Sequence, residues 1–385
     1  MKHKRLMSGV LAVVMMAAGS LTALADSPVV GPGVGGPSTM TSGPGMTGPG
    51  EETSAIPEIP GRVDYFAEEV PRPIVAAVER YSYDQMVKDL ESLQSRYGAN
   101  MRTNVIGTSL DGRNLYEVIL GNPDAEKHIL IHAGIHAREY MTPLLVMKQL
   151  EYGLEFYERG SYEGQPLSNT LHHVAVHFVP MANPDGLMLS EFGISAIRSE
   201  ELRQAIQNCY ATDMAQGRTA AAFDRYLMYW KANARGVDLN QNFPANWEQV
   251  VTCPNPSYAT YRGESALSEP ESQALANLVN SRTWAATISY HSMGNIIYWD
   301  YAGNQQFERS KELAELVAMN TGYRPAGASG NGGFKDWTQI KENPIAGLTI
   351  ETGSVACPLP LSEYEKIWYQ NKMVWAAVAK YVMEH

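Results

Sequence analysis

Cysteine is scarce: Cys209, Cys253 and Cys357 are the only three in 385 residues, and none forms a CxxC pair. That excludes a thiolate metal cluster and a disulfide-stapled scaffold, and leaves room for one disulfide at most. Basic residues are outnumbered too, with 30 Lys+Arg against 41 Asp+Glu and a formal net charge of −11. A surface this acidic disfavours nucleic acid and anionic membranes as partners. Long apolar runs are missing. The longest candidate, Leu11 to Leu21, is too short for a comfortable bilayer crossing, so stable membrane insertion is not expected.

What the first residues do contain is a basic start (Lys2, Lys4, Arg5), that apolar run, and the small-residue sequence Ala23-Leu24-Ala25. This order predicts a signal peptide over 1–25 and a secreted, extracellular protein, with association to the cell wall as one form of it. Its removal leaves 27 basic residues against 41 acidic ones, a balance of −14. Residues 26–61 are dominated by Gly, Pro, Ser and Thr and read as a disordered tether. The GPGVGG within it has no strand before it and no helix after it, so it is not a phosphate loop. Residues 62–385 are long enough to bury one large core.

Inside that region apolar strands alternate with stretches of helical period. SYDQMVKDLESLQSRY, from Ser82 to Tyr97, has one apolar helical face, and NVIGTSLDGRNLYEVIL reads as two strands about an Asp111-Gly112 turn. HILIH (His128 to His132), HVAVHFV, ATISYHS and AGLTIET are further strands, and helices are expected at 198–217, 268–281 and 306–320. Thr142 and Pro143 look like the N-cap and first residue of another helix. The pattern predicts a single α/β domain with a mixed, mostly parallel central sheet flanked by helices. The polar clusters HAREY, NPDG, DLNQN, HSMG and ETG fall beyond strand ends, where such sheets gather functional groups.

One cluster has metal-ligand spacing. In IHAGIHAREYMTP, His136 and Glu139 lie three apart just past a strand and can converge on one ion. A catalytic zinc needs three nitrogen or oxygen ligands and an open position. His291, in ISYHSMG, is the other histidine that directly follows a strand. His132 lies within its strand and reads as a packed histidine. His172, His173 and His177 alternate through a strand and read the same way. Glu269 and Glu271 follow Ser268 in a capping-box pattern and are taken as structural.

The motifs GIHARE, NPDG, GVDLNQN, SEPE, SYHS, GGFKDW and TIETG occur in an order that resembles the zinc carboxypeptidases related to carboxypeptidase A. The resemblance runs from about Tyr83 to the C-terminus. It implies a carboxypeptidase A-like fold, one Zn2+ held by His136, Glu139 and His291, and Asp238 orienting the first histidine. It also implies Glu351 as the catalytic glutamate, with Lys231 or Arg138 meeting the oxyanion.

Three departures bear on substrate. Where animal members carry Asn-Arg to clamp a free C-terminal carboxylate, this chain has Asn240-Gln241, and Gln cannot make a charged fork. Arg235 and Arg262 are the candidate substitutes. The family's mobile tyrosine would fall near Ala328; Tyr323 is the nearest tyrosine, and the role is assigned to neither. Lys335 of GGFKDW stands where the family lines the pocket for the residue after the scissile bond, and a lysine there selects a side-chain carboxylate. WKANARGVDLNQNFPANW is similar to the bacterial branch that cuts the γ-D-glutamyl–diaminopimelate bond of peptidoglycan stem peptides. The expectation is therefore a secreted zinc metallopeptidase acting on that bond. The alternative is a metallocarboxypeptidase that removes acidic C-terminal residues from peptides.

Overall fold

Val, Ile and Leu crowd the strand segments on both faces, and in the computed structural model these strands sit between two layers of helices. Residues 63–64, 68–327 and 330–385 are described. The expected signal peptide (1–25) and tether (26–61) lie outside the described residues, as does Ala328. One sheet holds eight strands: β1 (Met101–Thr108), β2 (Asn114–Leu120), β3 (Lys127–His132), β4 (Val174–Val179), β5 (Ala286–Ser292), β6 (Ile296–Tyr298), β7 (Arg324–Ala326) and β8 (Ala346–Thr352). Their spatial order is β7-β6-β8-β5-β3-β4-β2-β1. The centre, β4-β3-β5-β8, is parallel, while β8–β6, β4–β2 and β2–β1 are antiparallel, so the sheet is mixed as expected.

Helices cover both faces: α1 (Tyr83–Tyr97), α2 (Met141–Glu155), α3 (Leu167–His173), α4 (Pro184–Phe192), α5 (Glu200–Ala215), α6 (Phe223–Met228), α7 (Pro270–Asn280), α8 (Phe307–Thr321), α9 (Phe334–Ile340), α10 (Tyr364–Asn371) and α11 (Val374–Glu384). Strand alternation sorts the core. Ile129, Ile131, Ile288, Tyr290, Leu348 and Ile350 pack against the face of α2, α8 and α11. Leu130 and Val179 face the opposite layer, with Leu275 of α7 and Phe334 and Trp337 of α9. The residues between, Ser289, His291, Thr349 and Glu351, must therefore point to the α7/α9 side. A third cluster, around Ile206, Tyr226, Leu227 and Trp230, builds a lobe beside the strand ends.

Several local expectations are corrected. Helix α2 starts at Met141, with Tyr140 as its N-cap. The Thr142 hydroxyl instead donates to Glu139 O and accepts from Gly134 N, bracing the preceding loop. His172 and His173 close α3, and only His177 lies in β4, where it bonds Glu117 at 2.7 Å. Ser268 does not cap α7. Glu269 is the N-cap, and its buried carboxylate binds Arg235 and Asn233, so the glutamate is structural by another route. All three cysteines are free thiols. Among the described residues no helix is long and apolar enough to cross a membrane.

His132 is fully enclosed: its Nε2 lies 2.7 Å from Ser289 Oγ and its ring meets the Phe334 ring edge-on. Burial, with His291 and His136 nearby, pushes its pKa down to about 3. In the unfolded chain an ordinary histidine takes up its proton near pH 6.5. The unfolded state thus binds more protons below that pH, and stability is whole above 6.5 and lost as pH falls toward 3. Urea denaturation of metal-free protein should show a lower midpoint at pH 4 than at pH 7, and His132→Gln should lose less over that interval. Equal losses in the two proteins would remove His132 from the explanation.

Candidate metal centre

Strand register builds the site. Glu351 of β8 pairs directly with His291 of β5 in parallel register, so both side chains emerge side by side at the strand ends. His136 and Glu139 arrive on the loop after β3. That loop turns at Gly134 (φ +63), where a Cβ would stand 2.8 Å from Leu187 and 2.9 Å from Pro143, so only glycine lets it pass between α2 and α4. The NPDG segment holds the loop from the other side: Asn183 N donates to Gly134 O, and Asn183 Nδ2 donates to Ile135 O.

Three side chains converge. His136 Nδ1 lies 2.8 Å from Glu139 Oε1 and 3.1 Å from His291 Nδ1, which lies 3.1 Å from Glu139 Oε2. Ligands at about 2.0–2.1 Å from a tetrahedral zinc stand roughly 3.3 Å apart, so this triangle has the size of one tetrahedral face. The three residues are 5%, 3% and 1% exposed, and His136, Glu139 and His291 are the group able to hold an ion among the described residues. Burial works to raise the Glu139 carboxyl, yet the two imidazoles hold it well below the usual carboxylate range. Ser292 N–H also donates to Glu139 Oε2 at 3.2 Å.

Asp238, fully buried, lies with Oδ1 3.2 Å from His136 Nε2 and accepts from Lys231 Nζ at 3.0 Å through Oδ2. Metal-bound imidazoles are commonly braced in this way. The Nε2 of His291 is buried and has no hydrogen-bond partner among the described residues. The residues present fit a zinc ion. Glu351 stands beside them, its carboxyl pushed up to about 7, first by burial and further by the Glu139 charge, against the pull of His291, Lys231 and Arg138.

The remaining sequence candidates differ in state. Asn240 Oδ1 accepts from Phe334 N at 3.0 Å, and Gln241 Oε1 is buried without a partner among the described residues. Neither candidate substitute for the clamp arginine is free. Arg235 forks Glu269, and Arg262 donates to Trp247 O at 2.7 Å while lying over the Trp247 ring. Lys335 is not an isolated cation: it is 2% exposed, with Nζ 2.5 Å from Asp336 Oδ1 and 2.8 Å from Asp300 O. Tyr323 is a core residue whose hydroxyl bonds Gln370 and Asn371. Arg138 forms no side-chain hydrogen bond or ion pair among the described residues, and its Nε is buried. Sequence reasoning missed Ser292 and Tyr258. The first acts through its backbone N–H, and Tyr258 O accepts from Lys231 N; neither bond leaves a mark in side-chain type.

A buried His-Glu-His triangle at the carboxyl ends of a mixed α/β sheet, with a glutamate beside it, defines a metallohydrolase of the peptidase kind. Residues 86–372 match the family model described as Zinc carboxypeptidase, and the chain belongs to that family. It is a zinc-dependent metallopeptidase. The gamma-D-glutamyl-L-diamino acid endopeptidase 1 of Lysinibacillus sphaericus is 31% identical over 308 residues, covering 79% of this chain and 73% of that protein. Carboxypeptidase B of Rattus norvegicus is 25% identical, covering 73% and 66%. The crystal structure of thrombin activatable fibrinolysis inhibitor superposes with a TM-score of 0.64 at 20% identity, covering 83% of this chain and 79% of that one. The carboxypeptidase A-like fold is thereby shown.

Removing one ligand and removing the neighbouring carboxylate should separate cleanly in metal content. Elemental analysis of purified His291→Ala should find far less than one zinc per chain, while Glu351→Gln should retain about one. Zinc lost equally from both would mean that Glu351 helps hold the ion.

Proposed function

We propose that this metallopeptidase is exported and hydrolyses the γ-D-glutamyl–meso-diaminopimelate bond of peptidoglycan stem peptides. Gln241 carries the reading. At the position where a carboxylate clamp would need a guanidinium there is a neutral amide, and Arg235 and Arg262 are engaged elsewhere. An enzyme without that clamp is poorly suited to gripping free protein C-termini. The likeness to the Lysinibacillus endopeptidase and the signal peptide expected from the sequence over 1–25 support the same reading.

His136, Glu139 and His291 would hold the ion. The chemistry zinc supplies when bound is Lewis acidity, which brings the pKa of water toward neutrality and polarises a carbonyl. Glu351 takes a proton from the attacking water and later delivers it to the leaving nitrogen, a contribution of about 10²–10⁴-fold. Its raised pKa suits a group that must both accept and release a proton. Lys231 spends one ammonium hydrogen on Asp238, and its other two remain for the oxyanion of the tetrahedral intermediate. Lys335 and Asp336 form a compensated pair near Asn240. That pair matches a side-chain end bearing both ammonium and carboxylate, as diaminopimelate does, better than it matches a lone carboxylate.

The discriminating assay sets L-Ala-γ-D-Glu-mesoDap beside an ordinary peptide ending in Glu. Turnover of the wall peptide is expected, and turnover of only the other would establish an acidic-preferring carboxypeptidase instead. Glu351→Gln should lower kcat on the wall peptide by at least about 10²-fold. Gln241→Arg should shift preference toward a stem ending in a free diaminopimelate carboxylate, over one extended by a further residue, by about tenfold. An unchanged ratio would remove Gln241 from the substrate site.

A further inference from the structure

Beside the metal centre a small pocket of about 180 Å3 is lined by Arg138, Thr219, Ala221, Tyr226, Tyr229 and Tyr258. Arg138 is its one charged lining group. The backbone around it is pinned, since Ala137 N donates to Lys231 O at 3.1 Å and Cys357 Sγ donates to Arg138 O at 3.3 Å. Its guanidinium is not pinned. Nε is buried with no acceptor, and no carboxylate pairs with the side chain among the described residues.

The contrast with the neighbouring cations is informative. Lys231 is paired with Asp238, Arg235 with Glu269 and Lys335 with Asp336. A half-buried guanidinium left without an acceptor in a tyrosine-walled pocket has an incomplete set of hydrogen bonds that a planar anion completes. Arg138 lies between the ligands His136 and Glu139 in sequence, and its charge acts on Glu351, so an anion bound there stands near the reaction centre.

Chemistry identifies which anion. In a γ-linked glutamyl amide the carbonyl under attack ends the side chain, and the α-carbon, the third carbon from it, carries a free carboxylate. In an α-linked peptide the acyl side continues as neutral amide backbone and offers no such group near the scissile bond. We infer that the Arg138 pocket binds the free α-carboxylate of a γ-linked glutamyl residue on the acyl side, and so distinguishes γ- from α-linked amides. The inference rests on the proposed wall-peptide activity and deepens it. It moves Arg138 from oxyanion contact to specificity residue and leaves the oxyanion to Lys231.

The test uses the zinc-loaded chain and two stem peptides that share diaminopimelate as leaving group. One carries γ-D-glutamate with its α-carboxylate free; in the other that group is a carboxamide. The parent enzyme should favour the carboxylate by about tenfold or more in kcat/KM. In Arg138→Met, with zinc content matched to the parent, the ratio should collapse toward unity. A parent enzyme that cleaves both peptides equally well would overturn this assignment while leaving the wall-peptide activity standing. An Arg138→Met enzyme that loses the same factor on both would return Arg138 to the oxyanion. Absence of turnover on either peptide, with cleavage of α-linked peptides, would end the wall-peptide reading and this inference with it.

Discussion

Two imidazole nitrogens and a carboxylate within about 3 Å of one another, all buried, form the constraint on which the site depends. The two facing Nδ1 atoms have room for one proton between them, and the carboxylate between its imidazoles has lost its water. A divalent cation resolves the crowding because it satisfies three lone pairs at once. Much of the surrounding fold then reads as the means of holding these groups close. Gly134 lets the loop pass between helices, Asn183 ties its backbone, Thr142 anchors its end and Ser292 N–H steers the carboxylate.

The cleft around that centre has a definite charge arrangement. Two of its cations are matched, Arg235 by Glu269 and Lys335 by Asp336, while Gln241 is neutral. Matching follows from burial. An isolated ammonium as enclosed as Lys335 carries a desolvation penalty of several kcal/mol, and a carboxylate at 2.5 Å offsets much of it. Arg138 can remain unmatched because its terminal nitrogens still reach solvent and only Nε is enclosed. The charges around the centre are thus one unmatched guanidinium among several compensated cations, an arrangement the net charge of −11 does not describe.

The layout of the sheet was legible because its central strands are apolar on both faces and bounded by turn residues. The ligands were legible because they gather at strand ends, His136 and Glu139 on the loop after β3, although His291 lies within β5 near its end and not after it as expected. Local misreadings came where tertiary contacts outvoted local pattern. The Thr142 hydroxyl serves the Gly134 loop and not the helix end, and His172 and His173 complete a short helix before β4 begins. The state of the cations was legible only in part. Lys335 has Asp336 beside it in GGFKDW, and Lys231 has Asp238 seven residues on, but the partner of Arg235, Glu269, lies more than thirty residues away. The Arg138 pocket has the same character: Thr219, Tyr229 and Tyr258 meet only after the lobe around Trp230 has folded onto the strand ends.

Asp238 joins the two halves of the machinery. One fully buried carboxylate contacts the metal-ligand ring of His136 through one oxygen and the Lys231 ammonium through the other, and Thr260 N donates to the second oxygen as well. Burial opposes its charge, but the Lys231 ammonium, with the His136 ring beside it, holds its pKa far below the usual range, so it stays ionised across physiological pH. The basicity of the ligand histidine and the position of the lysine are therefore not independent. Withdrawing the lysine would leave more of the carboxylate for His136, and disturbing the histidine would release the lysine. Effects within such a network do not add, so neither residue's contribution can be assigned from its own removal. Coupling of this kind fixes the metal-ligand ring and the lysine relative to each other through a single buried group, so that both keep their places while substrates come and go.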